Sequence, residues 1–195
     1  HDSTQGGDGS VSVIWGWNED GCTGENCCPT EPTYTTLKSE VTDVDFGDVM
    51  DAIDTNGDGL KELFIGLPAS TSGGVIQVSG ERLATLTAGP LDNGSLYNSD
   101  MGNTYFVQDL DGTHQFNDSP GFGAALAAIA HPTKPGAIVA MGNPSGDGRV
   151  LIYEISSASP KGSLLAIAHG ETHQPGGQLG GGLHLNTVGS TLQVI

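Results

Sequence analysis

Residues 54 to 62 read DTNGDGLKE, and they are the stretch of this chain best equipped for chemistry. Asp54, Asn56, Asp58 and Glu62 set side-chain oxygens at alternating positions, and the main-chain carbonyl of Leu60 falls between the last two. A spacing of two lets such oxygens turn toward one centre, and Gly57 and Gly59 allow the chain to bend sharply around it. An oxygen-only set suits Ca²⁺, which accepts 6 to 8 such ligands, better than Mg²⁺ with its strict octahedron. Without a cation the same residues would form an Asx-rich turn with carboxylates crowded at close range. The expectation is one Ca²⁺ in this loop, with a structural role, because the ligands leave little room for a substrate.

Other candidates are weaker. The stretch 108 to 121, QDLDGTHQFNDSPG, brings Asp109, Asp111, Asn117 and Asp118 together and reads as a solvated acidic loop, with a second cation as the alternative. Trp15 and Trp17 alternate at the end of a strand, where they could stack on a sugar ring or pack between sheets. Tyr97, Tyr105, Phe106 and His114 fall in a long insertion, residues 90 to 119, the segment expected to present a ligand surface. His169 and His173 lie four apart, but their surroundings do not read as helical, so metal binding there is not expected. Cys22, Cys27 and Cys28 crowd into GCTGENCC. Cys22 bridged to Cys27 or Cys28 in an oxidising compartment is the preferred reading, since a zinc site would need a second paired half. Nucleophile elbows, HExxH and phosphate-binding glycine loops are absent, and no acid/base pair stands out among so many carboxylates. No catalytic residue is assigned.

The bulk composition narrows the partners. Six Lys plus Arg stand against 23 Asp plus Glu, a formal net charge of −17 over 195 residues. Such a chain repels a phosphate backbone and an anionic membrane surface, so neither nucleic acid nor membrane insertion is expected. No apolar run reaches the roughly 18 residues that a membrane-spanning helix needs. The 31 glycines, set among short runs of Val, Ile, Leu and Thr, point to short strands joined by tight turns.

The elements that position the acidic loop are repeated. DFGDVMDAIDTNGDGLKELFIGLP (45 to 68) aligns without a gap on GFGAALAAIAHPTKPGAIVAMGNP (121 to 144), carrying Phe46-Gly47 onto Phe122-Gly123 and Gly66-Leu67-Pro68 onto Gly142-Asn143-Pro144. In the second copy Ala130, Pro132, Lys134 and Ile138 replace the four oxygen-bearing residues, so no cation is expected there. A third, weaker copy starts at Leu179-Gly180, and its loop LNTVGST is also empty of ligands. After each Gly-x-Pro come a glycine turn and an alternating strand, at 70 to 80 and 145 to 155, then a further short apolar run, at 81 to 89 and 161 to 170. Four short strands per unit, repeated, predict an all-β propeller.

Phe-Gly followed about twenty residues later by Gly-x-Pro, with Asp-x-Asn-Gly-Asp-Gly between, resembles the FG-GAP repeats of the integrin α-subunit propeller, over most of residues 43 to 195. The resemblance implies a propeller in which the loop joining the first two strands of some blades binds Ca²⁺. Residues 6 to 15 match 145 to 154, so the chain opens in the second half of a unit and closes in the first half of another. The expected organisation is one propeller portion of about three blades. Residues 1–44 supply a C-terminal half-blade and the Cys-rich loop, 45–119 a blade with the Ca²⁺ loop and the insertion, 120–175 a blade, and 176–195 an N-terminal half-blade. The complementary halves fit either a head-to-tail homodimer or a piece of a longer propeller. The function expected is a secreted or cell-surface adhesion or lectin-like module taking a protein or carbohydrate ligand on its rim loops. The alternatives are an accessory or catalytic propeller of a secreted hydrolase or polysaccharide lyase, and a self-assembly module.

Overall fold

A computed structural model of the chain describes residues 9–15, 33–39, 45–69, 73–86, 89–90, 103–106, 113–145, 148–169, 181–188 and 191–195. Most of these residues lie in β-strands, the rest in turns, loops and one short helix. The strands are β1 (Ser10–Trp15), β2 (Thr33–Lys38), β3 (Met50–Ile53), β4 (Glu62–Gly66), β5 (Gly74–Val78), β6 (Gly89–Pro90) and β7 (Asn103–Phe106). They continue with β8 (Thr113–Asn117), β9 (Ala125–Ala130), β10 (Ala137–Asn143), β11 (Arg149–Ser156), β12 (Ser159–His169), β13 (Leu185–Val188) and β14 (Thr191–Val194).

Two four-stranded antiparallel sheets dominate, β3-β4-β5-β8 and β9-β10-β11-β12. Before them lies a sheet in which β1 pairs with β2, and after them the hairpin β13-β14. Central strands such as β10 (AIVAMGN) are buried along their whole length, which explains their unbroken apolar sequence. Alternation then sends neighbouring side chains into different layers. Ile65 and Ile76 pack against Val11, Leu37 and Phe46 of the preceding segment, while Phe64 and Val75 pack against Phe122, Leu126, Val139 and Met141 of the next sheet. On the far side Ile138, Ala140 and Val150 meet Leu185. The sheets thus lie against one another in chain order, with an apolar layer at each junction.

The gap-free repeat holds at the level of hydrogen-bond register. Met50 faces Ile65 and Ile53 faces Glu62, while 76 residues on Leu126 faces Met141 and Ile129 faces Ile138. Phe46 and Phe122 are both buried. The glycine after each takes positive φ, +87° at Gly47 and +92° at Gly123, and donates its N–H to the Gly-x-Pro glycine of its own repeat, Gly66 at 3.3 Å and Gly142 at 2.9 Å. The second Phe-Gly also locks the repeats together. Gly74 N donates to Phe122 O at 2.9 Å, and a Cβ on Gly123 would stand 2.1 Å from Gly74 O. Only glycine fits there.

Two features depart from expectation. The fourth strand of the first full sheet is not the run at 81 to 89. Residues Gly80–Thr85 form a short helix, α1, because Ser79 caps it by accepting from Arg82 N at 3.2 Å and Glu81 sits favourably in its first turn. The place beside β5 goes instead to β8, from the far end of the insertion. The insertion also reaches backward: β6 pairs with Thr33 and Tyr34, and β7 runs parallel to β2 from Thr35 to Lys38. Neither pairing has a signal in the repeat, because both are made by the segment that breaks it.

Asp51 supplies a further tie between sheets. Its Oδ2 accepts from Ala128 N at 2.7 Å, so the carboxylate of β3 satisfies an N–H on the edge of β9. Asp51→Ala should cost roughly 1–3 kcal/mol through the orphaned N–H, and Asp51→Asn, which keeps an acceptor, should recover part of it. Gly123→Ala should cost roughly 3 kcal/mol, from positive φ and backbone overlap together, whereas Gly182→Ala, with nothing within 4 Å, should stay within about 0.5 kcal/mol of wild type. Urea unfolding measures all four.

Candidate functional site

The acidic loop joins β3 to β4, with Ile53 and Glu62 as the last cross-strand pair beneath it. Above that pair the loop is organised by its own side chains. Asp54 Oδ1 accepts from Gly57 N at 2.6 Å and from Asn56 N at 3.2 Å, and Oδ2 accepts from Gly59 N at 2.9 Å. Asn56 Oδ1 accepts from Asp58 N at 2.9 Å, and Asp58 Oδ1 from Leu60 N at 2.7 Å. Asn56 Nδ2 donates to Asp58 Oδ2 at 2.8 Å. Each is the local turn bond that Asx residues favour, and Gly57 (φ +83°) and Gly59 (φ +87°) provide the conformations that close the loop. The N–H of Gly57, above all, holds the Asp54 carboxyl below the usual carboxylate range, with slight burial opposing and the N–H groups of Gly59, Asn56 and Asp58 adding to it.

The structure therefore brings Asp54, Asn56 and Asp58 together at the exposed turn, with Leu60 following them at 40% exposure. Glu62 takes a different part. It is buried, and its Oε2 accepts from both Thr55 N and Thr55 Oγ1 at 2.6 Å, with Gly80 N a distant 3.5 Å from Oε1. In this arrangement it props the loop from beneath. Among the described residues no three His, Cys, Asp or Glu side chains gather as a metal cluster, and this inward turn of Glu62 leaves only Asp54 and Asp58 as carboxylates at the tip. The side-chain oxygens remaining there come from two carboxylates and one amide, hard donors of the type that Ca²⁺ takes but fewer than its full shell.

The equivalent loop of the second repeat, residues 131–136, lies alongside: a Cβ on Gly57 would stand 3.9 Å from Pro135 Cβ. Its one charged side chain of the aligned set, Lys134, pairs with Glu154 Oε1 at 2.5 Å, and the Lys134 hydrogen bond pulls the Glu154 carboxyl down. The ion pair ties this loop to β11, a contact that its sequence did not signal.

The remaining candidates scatter. Trp15 is the last residue of β1, opposite Thr33, and Tyr105 stands in β7 opposite Leu37, within a sheet and not in a free loop. Trp17, Tyr97, Cys22, Cys27, Cys28, Asp109, Asp111 and His173 lie outside the described residues, as does Leu179-Gly180. His114 sits in β8 opposite Gln77, facing the junction with the next sheet. Asn117 ends β8, while Asp118 forms an ion pair with Arg149 at 2.5 Å, so that carboxylate already has a cation within the protein. His169 closes β12, exposed. Asp51 and the Glu62–Thr55 prop escaped the sequence reading, since neither partner is fixed by local spacing.

No protein-family model matches the chain, and no curated protein shows significant similarity to it.

His114 gives the fold a pH dependence. Burial first, and the charge of Lys161 second, push its imidazole below the ordinary value of 6.5. A base that binds its proton less readily when folded contributes stability above the unfolded pKa and loses it as pH falls from there through the folded value. Thermal stability should decline from about pH 6.5 downward, and His114→Gln should flatten that decline. Melting curves between pH 7.5 and 5, followed by circular dichroism, measure this slope; an unchanged slope in the variant would remove His114 as its source.

Proposed function

We propose that the chain is a portion of a β-propeller made of FG-GAP-like units and serves as an extracellular binding module for a protein or glycan, with Ca²⁺ held in the loop 54–62. The observation that carries this reading is the identity of register between the two full repeats, in which only one of the paired loops keeps the oxygen donors. The stacking of the sheets in chain order supports the propeller. So does the placement of the first strands, β3 beside β9 and β9 beside β13, as strands around a common axis would lie.

In this reading the protein presents loops on a stiff frame and leaves recognition to them. Asp54, Asn56 and Asp58 would supply side-chain oxygens and Leu60 its carbonyl, while Glu62 joins the shell only on leaving Thr55. The ion would neutralise the crowded carboxylates and stiffen the turn next to the Pro-containing loop 131–136. The acidic charge of the whole chain favours the same partner by raising the local concentration of cations.

Calorimetric titration of the chelator-treated protein with CaCl₂ tests the reading. Saturable binding is expected, with one ion at this loop, and Ca²⁺ at a hundredfold excess over Kd should add about 2.7 kcal/mol of stability. Asp58→Ala should weaken binding at least tenfold, while Lys134→Ala, in the second loop, should leave it unchanged. Absence of both heat and thermal stabilisation would overturn the calcium assignment.

A further inference from the structure

At the opposite end of β10 from the loop 131–136, Asn143 and its neighbours frame a cleft of about 180 Å³ lined by Ser119, Ser145, Gly148, Arg149 and His169. Its walls are fixed by buried polar chemistry. Asn143, 1% exposed, donates from Nδ2 to Ser119 Oγ at 2.7 Å and accepts at Oδ1 from Ser145 N at 2.9 Å. Among the described residues Arg149 is held through Nη2, which makes both its ion pair to Asp118 and its 2.9 Å bond to Ser119 Oγ. Among the described residues Nε and Nη1 of Arg149, Oγ of Ser145 and the His169 ring have no hydrogen-bond partner. His169 is the cross-strand partner of Arg149, so these groups face the cleft from adjacent strands.

A guanidinium anchored through Nη2 keeps N–H donors at Nε and Nη1, either of which can donate a single charge-assisted hydrogen bond to one oxygen of a carboxylate. The hydroxyl and the imidazole beside it can each exchange a hydrogen bond with a hydroxyl group of the same ligand. We propose that this cleft binds a hydroxylated carboxylate, such as one uronic acid unit. Asp118 already offsets part of the Arg149 charge and the chain is strongly acidic, so a monoanion is favoured over a dianion such as phosphate. The corresponding corner of the first repeat has Leu67 for Asn143 and Gly74 for Arg149, and is closed by Phe122. The site belongs to one repeat. It is independent of the calcium loop, and neither reading depends on the other.

The test is calorimetric titration of the whole chain with D-glucuronate, acetate, D-glucose and inorganic phosphate, supported by NMR of the histidine ring resonances. Glucuronate should bind saturably and shift the His169 resonances. Acetate, lacking the hydroxyls, should bind at least tenfold more weakly, and glucose should give no heat. Ser145→Ala and His169→Gln, which remove groups without hydrogen-bond partners among the described residues, should each weaken glucuronate at least threefold with unchanged circular dichroism. Arg149→Gln should abolish binding. Acetate binding as tightly as glucuronate would overturn the hydroxyl contacts, and phosphate binding more tightly would overturn the carboxylate assignment. Absence of glucuronate binding, or binding indifferent to Ser145→Ala and His169→Gln, would overturn the site itself.

Discussion

The junction between the two full sheets depends on backbone meeting backbone at Phe122-Gly123. The carbonyl of Phe122 takes the N–H of Gly74, while Gly123 fits against Gly66 and Gly74 with no room for a Cβ. This contact sets how closely the sheets approach, and with it which side chains of β4, β5, β9 and β10 can share a layer. Phe64, Val75, Met141 and Val139 fill that layer because the glycines let it be thin. The Phe ring fills the gap that the glycines leave at the corner. One motif therefore sets both the turn within its own repeat and the docking of the repeat before it.

Electrostatics is distributed against this apolar stacking in a consistent way. Acidic groups that enter the frame are answered: Asp51 by the Ala128 N–H, Glu62 by Thr55, Asp118 by Arg149 and Glu154 by Lys134. Those at the tip of 54–62 are answered, among the described residues, by the loop's own N–H and amide groups. The two neighbouring loops are thus alternative solutions to one problem, the closing of a short hairpin. One uses proline and an ion pair to β11, and the other uses Asx turns whose side-chain oxygens accept from the loop's own N–H groups.

Much of the frame was legible in the sequence. Phe-Gly, Gly-x-Pro and the continuous apolar run before each Gly-x-Pro mark strand order and register, because a two-residue period permits only one alignment of buried faces. Helix α1 was missed because RLATL alternates like a strand, and its cap at Ser79 was outweighed by the repeat. Strands β6, β7 and β8 were hidden because the insertion has no second copy to compare with, and its partners lie far away in the chain.

The acidic loop shows where the division falls. The sequence by itself determined that Asp54, Asn56 and Asp58 would cluster, since turn geometry and glycine conformations are local and act over a few residues. It also determined that the second loop could not share that chemistry. Only the tertiary structure decided that Glu62 turns inward to Thr55, that Asp51 serves the edge of the next sheet, and that Asp118 meets Arg149. Those outcomes depend on which strand edge or side chain arrives from a distant segment, and sheet packing, which no short spacing encodes, brings it there.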